Sequence, residues 1–143
     1  VSYATPQDLE DRFGREELIY RTDKAPVRLG IPDATIIGRA LADATAAIDG
    51  HLAVRYSLPL DAADPRLVKI ACDLARYFYW GSDTEADQAV LMNYRDALSA
   101  LRDFATGQVV LQSAGATAPP GAGGIAFSAG PRLFSHAGLE DFL

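Results

Sequence analysis

Residues 33–56 read DATIIGRALADATAAIDGHLAVRY, and this stretch decides the fold. Ile37, Leu41, Ala44, Ile48 and Leu52 recur about every 3.6 residues, the period of a helix, and Arg55 or Tyr56 continues the stripe. Asp33 stands where an N-cap belongs, so the spacing predicts one long helix from Asp33 to about Tyr56. Gly38 and Gly50 lie inside it. Each costs about 1 kcal/mol against alanine, and the expectation is that each lets a neighbouring helix approach closely.

Outward from this helix the pattern repeats. Downstream, Ser57-Leu58-Pro59-Leu60 leads to Asp64-Pro65, a cap followed by proline. Leu67, Ile70, Ala71, Leu74, Ala75 and Phe78 then carry a second helix over 66–80, and Gly81 stops it. Ser82-Asp83-Thr84-Glu85 fits a capping box. A third helix follows through Val90 or Leu91, Tyr94, Ala97 or Leu98, Leu101 and Phe104 to Gly107. Upstream, Thr5-Pro6-Gln7-Asp8 starts a short helix in which Leu9 and Phe13 share a face. Gly14 ends it, and residues 15–22 make another through Leu18 and Ile19. Residues 23–32, with Pro26, Gly30 and Pro32, read as irregular.

Past Gly107 the helical period vanishes. Val109-Val110-Leu111 reads as a short strand, residues 113–124 as a flexible linker by composition, and Ile125-Ala126-Phe127-Ser128 as extended. Apolar residues return at Leu133, Phe134, Leu139, Phe142 and Leu143, so the end of the chain reads as a tethered docking element. The expected fold class is mainly α: a small helical bundle of three main helices plus short N-terminal helices, with an extended C-terminal arm containing short strands. The expected division is a helical domain over 1–111 and a linker with docking arm over 112–143.

Composition narrows the function classes. The chain has 143 residues, which suggests one domain able to hold a core without disulfides. Hydrophobic residues make up 49%, but 25 residues are alanine, so the supply of large apolar groups is modest. A net charge of −6 and a pI near 4.7 argue against nucleic-acid binding by phosphate neutralisation and against docking on an anionic membrane. With Cys72 as the one cysteine, an internal disulfide and a multi-cysteine zinc site are excluded, and His51 and His136 cannot build a histidine-rich metal cluster. No apolar run approaches the roughly 18 residues of a membrane span. The stretch Val1-Ser2-Tyr3-Ala4-Thr5 has neither a basic region nor an apolar core, so no signal peptide is expected. The expectation is a soluble protein made and kept in a cytoplasm-like compartment. The mean hydropathy of +0.02 is high for such a protein and points to apolar surface that a partner covers. Residues 107–143 carry only Arg132, Glu140 and Asp141 as charges, yet hold 7 of the 12 glycines.

No catalytic constellation is expected. Cys72 sits on a helix with nothing nearby to lower its pKa, so core packing explains it better than nucleophilic chemistry. His51 has no second histidine four positions on. A Cys72–His51 pair across two helices is conceivable, but it lacks a third orienting group. Asp83-Thr84-Glu85-Ala86-Asp87 superficially matches the start of a calcium loop, yet Gln88 replaces the glycine and Tyr94 the bidentate glutamate. Gly121-Ala-Gly123-Gly-Ile-Ala126 fits the loose dinucleotide fingerprint, but a proline-containing linker precedes it and no helical period follows. No cofactor or metal is expected. The most informative local feature is Tyr77-Phe78-Tyr79-Trp80 after Arg76. Four successive helical residues point in all directions, so one face cannot bury them all. The run reads as a helix end wrapped by neighbouring segments or as a protein–protein interface, since aromatics and arginine are enriched in interface cores; a base-stacking surface is a third reading, which the acidic balance disfavours.

Tyr3-Ala-Thr-Pro-x-Asp-Leu-x-x-Arg-Phe-Gly, over 3–14, resembles the start of the Mu-type phage and prophage head–tail adaptor family. The resemblance continues through Ala42-Asp43-Ala44 and Ile48-Asp49-Gly50-x-Leu52-x-x-Arg55-Tyr56-x-Leu58-Pro59-Leu60. It takes in Ile70-Ala71-Cys72-Asp73-Leu74-Ala75-Arg76-Tyr77 and Tyr94-x-x-Ala97-x-x-x-Leu101, then Pro131-Arg132-Leu133-Phe134-Ser135 with Leu139 and Phe142. It implies a small helical connector that assembles as a ring, expected at twelve copies, beneath the portal vertex. Such a ring extends the channel and links the DNA-filled head to the stopper or tail-completion protein. It implies no catalytic residues, a place in the virion neck after assembly in the host cytoplasm, and DNA that only passes through. On this reading the partner-binding residues are Tyr77, Phe78, Tyr79, Trp80, Arg132, Leu133, Phe134, Leu139 and Phe142. Two rivals are a soluble helical phage-encoded regulator or chaperone, and a small helical enzyme using Cys72 and His51.

Overall fold

Five helices follow one another along the chain: α1 (Pro6–Phe13), α2 (Arg15–Thr22), α3 (Ala34–Leu52), α4 (Pro65–Trp80) and α5 (Gln88–Thr106). The computed structural model describes residues 2–60, 64–81 and 87–112. Each start has a local chemical cause. Thr5 caps α1 in a reciprocal box with Asp8, and Pro6 occupies the first turn. Asp33 accepts from the amides of Thr35 and Ile36, Asp64 from Arg66, and Asp87 from Ala89 and Val90. Gly81 and Gly107 close α4 and α5 with φ of 64° and 79°, a region that favours glycine.

The three long helices run up, down and up. The Arg66 guanidinium lies over the Phe104 ring, while Tyr77 stacks on Tyr94 with centroids 3.8 Å apart. The start of α4 therefore meets the end of α5, and the end of α4 the start of α5. Beyond α3, the Tyr56 hydroxyl accepts from the Leu111 amide at 3.2 Å, so α3 and α5 finish at the same end. The core between them holds Ile37, Leu41, Ala44, Ile48 and Leu52 of α3, Leu67, Ile70 and Leu74 of α4, and Val90, Ala97, Leu101 and Phe104 of α5. Leu9 and Leu18, both fully buried, fasten the short helices to it. Each such leucine contributes about 1.5–3 kcal/mol by leaving water.

The bundle of three main helices with short N-terminal ones agrees with the sequence reading, and four details differ. The long helix ends at Leu52 rather than near Tyr56. The Leu52 carbonyl is shared by the amides of Arg55 and Tyr56, and Pro59 bars the helical path beyond. Gly38 and Gly50 do not admit a neighbouring helix, since a Cβ on either would meet nothing within 4 Å. The cap of α5 is Asp87, while the box at 82–85 and the calcium-like stretch that begins there lie outside the described residues, apart from Asp87. Val109-Val110-Leu111 is not a strand, and no strand occurs among the described residues. Its polar backbone groups are taken elsewhere: the Val109 amide donates to the Asp103 carbonyl, the Val110 carbonyl accepts from Arg66 and the Leu111 amide donates to Tyr56. The linker, the extended stretch at 125–128 and the docking arm lie outside the described residues.

Candidate functional site

The aromatic run at the end of α4 divides in two. Tyr79 and Trp80 are buried, whereas Tyr77 and Phe78 are half-buried. What draws the first pair inward is Glu17 on α2. Its Oε1 accepts from the Tyr79 hydroxyl at 2.8 Å, from Trp80 Nε1 at 3.1 Å and from Arg76 Nε at 2.8 Å. Its Oε2 takes Arg76 Nη2 at 2.5 Å, which makes the ion pair bidentate. Burial works to raise the Glu17 pKa, but the hydrogen bonds from Arg76, Trp80 and Tyr79, with the Arg76 charge, prevail and hold it below the usual value. Burial, then the facing Glu17 carboxylate, pushes the Tyr79 hydroxyl pKa upward. Arg76 also lies over the Phe13 ring, and Arg21 over Trp80 at 3.5 Å. This half of the run is a clamp that fastens α1 and α2 to α4. The half-exposed half, Tyr77 and Phe78, joins Tyr94 in an aromatic patch between α4 and α5.

The remaining residues expected to bind partners, Arg132, Leu133, Phe134, Leu139 and Phe142, lie outside the described residues. Cys72 is fully buried, and burial, partly offset by nearby Arg12, pushes its pKa up to about 11. His51 Nδ1 donates to the Ala47 carbonyl at 2.8 Å, an ordinary intrahelical tie. Among the described residues Cys72 and His51 share no hydrogen bond, and no group of three acidic, histidine or cysteine side chains is placed to hold a metal. None of the helices is long and apolar enough to cross a membrane among the described residues.

Sequence reasoning passed over three surfaces. A shallow groove of about 580 Å³ runs between the N-terminal segment and α3, lined by Ala4, Gly38, Ala42 and Ala46. The Thr45 hydroxyl there is buried without a hydrogen-bond partner among the described residues. A second groove, about 360 Å³, lies between α4 and α5 over Ile70, Ala97 and Phe104. The third is the loop between α2 and α3, which exposes Val27, Leu29 and Ile31. The apolar alternation in Val27-Arg28-Leu29-Gly30-Ile31 is visible in the sequence, and it was masked by the prolines on either side.

The fold and its surfaces define a class: a small, mainly α-helical protein whose charged and aromatic side chains clamp its own helices. Among the described residues several large apolar groups, Val27, Leu29, Val54 and Met92 among them, stand exposed. Residues 3–129 match the family model described as Bacteriophage Mu, Gp36, and the chain belongs to that phage family. It is a Mu-type phage protein. The chain is 34% identical over 138 residues to "Gene product J" of Escherichia phage Mu, covering 95% of this chain and 96% of that one. It is also 35% identical over 79 residues to "Mu-like prophage FluMu protein gp36" of Haemophilus influenzae, covering 55% of each. The family model ends before Pro131.

Proposed function

We propose that this chain is a head–tail connector, a structural virion protein that assembles as a ring beneath the portal vertex and links the head to the stopper or tail. It acts by shape and assembly rather than by catalysis. The observation that carries the reading is membership of the Mu Gp36 family along most of the chain, joined to the resemblance of Tyr3–Gly14 and Ile48–Leu60 to head–tail adaptors. The physics is compatible. A ring subunit needs two different side faces, because head-to-tail contacts that close make a cycle. The half-exposed Tyr77, Phe78 and Tyr94, the two grooves and the α2–α3 loop offer such faces. The acidic charge of −6 gives a channel wall that does not grip the genome.

The test mixes the full chain with purified portal and measures the mass of the product. A ring-shaped complex of many copies on portal is expected, and a chain truncated after Gln112 should fold but fail to bridge head and tail. The cut belongs there because Leu111 is buried and the Gln112 amide donates to Asp64 at 3.4 Å. A full chain that ignores portal at every concentration sinks the reading and favours a soluble regulator.

A further inference from the structure

The loop between α2 and α3 is pinned at its base. The Gly30 amide donates to Asp23 Oδ2 at 2.9 Å, and the Asp33 amide to Thr22 Oγ1 at 2.9 Å. Thr22 and Asp23 are themselves buried, so the loop leaves the bundle from a fixed foot. Along it Val27, Leu29 and Ile31 are 75%, 69% and 52% exposed, the last two on either side of the tied Gly30. Three large apolar side chains exposed within five residues of one pinned loop are the kind of surface that marks a contact site. Lys24 and Arg28 flank the patch, and neither side chain has an ion pair or hydrogen bond among the described residues.

The matching surface lies on the same chain. The groove between α4 and α5 has an apolar floor of Ile70, Ala97 and Phe104. Of its charged rim, Arg66 and Lys69 are paired with Asp64 and Asp73 at 2.7 Å each. That leaves Asp96 and Asp103, whose carboxylates have no such partner among the described residues. Seven positions apart on α5, they lie on one face about 10 Å, or two turns, from each other. Apolar loop meets apolar floor, and two unpaired cations meet two unpaired carboxylates.

The loop does not fill the groove of its own chain: Val27, Leu29 and Ile31 stay exposed, and no loop residue lines the groove. The loop springs from α2, whose Arg21 lies over Trp80, the last residue of α4. The groove flanks the first half of α4, at Arg66, Lys69, Ile70 and Asp73. At about 1.5 Å per residue the two are some 10–20 Å apart along the helix. We infer that the α2–α3 loop of one copy docks in the α4–α5 groove of the next, with Val27, Leu29 and Ile31 on the apolar floor and Lys24 and Arg28 toward Asp96 and Asp103. The contact joins different surfaces, so it propagates head to tail and closes a ring where the rotation allows. This deepens the ring reading above, and rests on it for its setting, by naming the faces that meet.

The experiment measures self-association of the full chain by sedimentation equilibrium at low salt, up to millimolar concentration. The wild-type chain should associate. Lys24→Glu with Arg28→Glu, or Asp96→Lys with Asp103→Lys, should each weaken association about tenfold or more, as like charges then face each other. All four changes in one chain should restore it to within about threefold of wild type. Leu29→Ser, at a solvent-facing position that cannot unfold the bundle, should weaken it roughly 10- to 100-fold. Circular dichroism verifies that every variant is folded. A wild-type chain that stays monomeric throughout overturns the inference, as do variants that associate like wild type or a four-fold variant that is not rescued. If the chain still joins portal in those cases, the connector reading stands and only the interface is lost. Loop variants that lose portal while associating normally assign the loop to portal and overturn the contact between copies.

Discussion

Glu17→Ala is the most informative single change in the folded body. Three side chains of α4 converge on this carboxylate through four hydrogen bonds. Removing it strands the Arg76 charge, the Tyr79 hydroxyl and the Trp80 indole N–H together. Breaking one partner out of a buried ion pair costs about 3–5 kcal/mol. Here the Glu17 and Arg76 side chains keep 21% and 16% of their exposure, so water recovers part of the loss. The expected cost is about 2–4 kcal/mol for Glu17→Ala, and about half that for Glu17→Gln, which keeps an acceptor for Tyr79 and Trp80. In a domain of about 100 residues each kcal/mol moves Tm by roughly 4–8 °C, so the alanine variant should melt about 10–30 °C lower. Exposed Glu16→Ala, one residue away, is the control and should stay within about 2 °C of wild type. The pH dependence follows from the sign of the shift. The folded Glu17 pKa lies below its unfolded value near 4.3, so the stabilisation is complete above that pH and fades as pH falls through the folded value. The gap between wild type and Glu17→Gln should therefore narrow below about pH 4. Thermal melts that place Glu17→Ala beside Glu16→Ala at neutral pH would refute the clamp.

Two further perturbations probe the interior and a helix end. Cys72, with its pKa pushed up to about 11 by burial, should resist a thiol reagent at pH near 8 in the folded chain and react fully in denaturant. Rapid stoichiometric labelling of the folded chain contradicts that placement. Gly107→Ala forces a side chain into the left-handed region at φ 79° and drives its Cβ into the Arg55 guanidinium, so it should cost about 1–2 kcal/mol in denaturant melts. Adding Arg55→Ala should recover only part of this, because the backbone strain remains; full recovery assigns the whole effect to the collision.

The helix starts were legible because their causes are local. Thr5, Asp33 and Asp64 bond to amides two or three residues on, a distance a reader of sequence can scan. The fate of the aromatic run was not. The group that buries Tyr79 and Trp80 lies 62 and 63 residues earlier, among several similar glutamates, and nothing in the local pattern singles out Glu17. The false strand had the same root. Val109 and Val110 favour extended backbone, but a strand needs a partner, and Tyr56 and Arg66 take its hydrogen bonds first. The exposed α2–α3 loop was hidden because prolines signal irregularity without saying which side chains face water. The partner surfaces beyond residue 112 were read from composition and resemblance alone.

The eight-residue length of α2 has a consequence for local opening. Isolated helices shorter than about 12–15 residues are marginal in water, so α2 persists only while Leu18 in the core and the Glu17 bonds to α4 hold it to the bundle. The α2–α3 loop hangs from the last turn of that helix through Thr22 and Asp23. Helix and loop should thus unfold and refold as one cooperative unit at lower free energy than the three-helix core. Whatever grips the loop adds its binding free energy to the protection of amides on α2 that it never touches. Hydrogen exchange along Arg15–Thr22 therefore reports, at a distance, whether the loop is occupied.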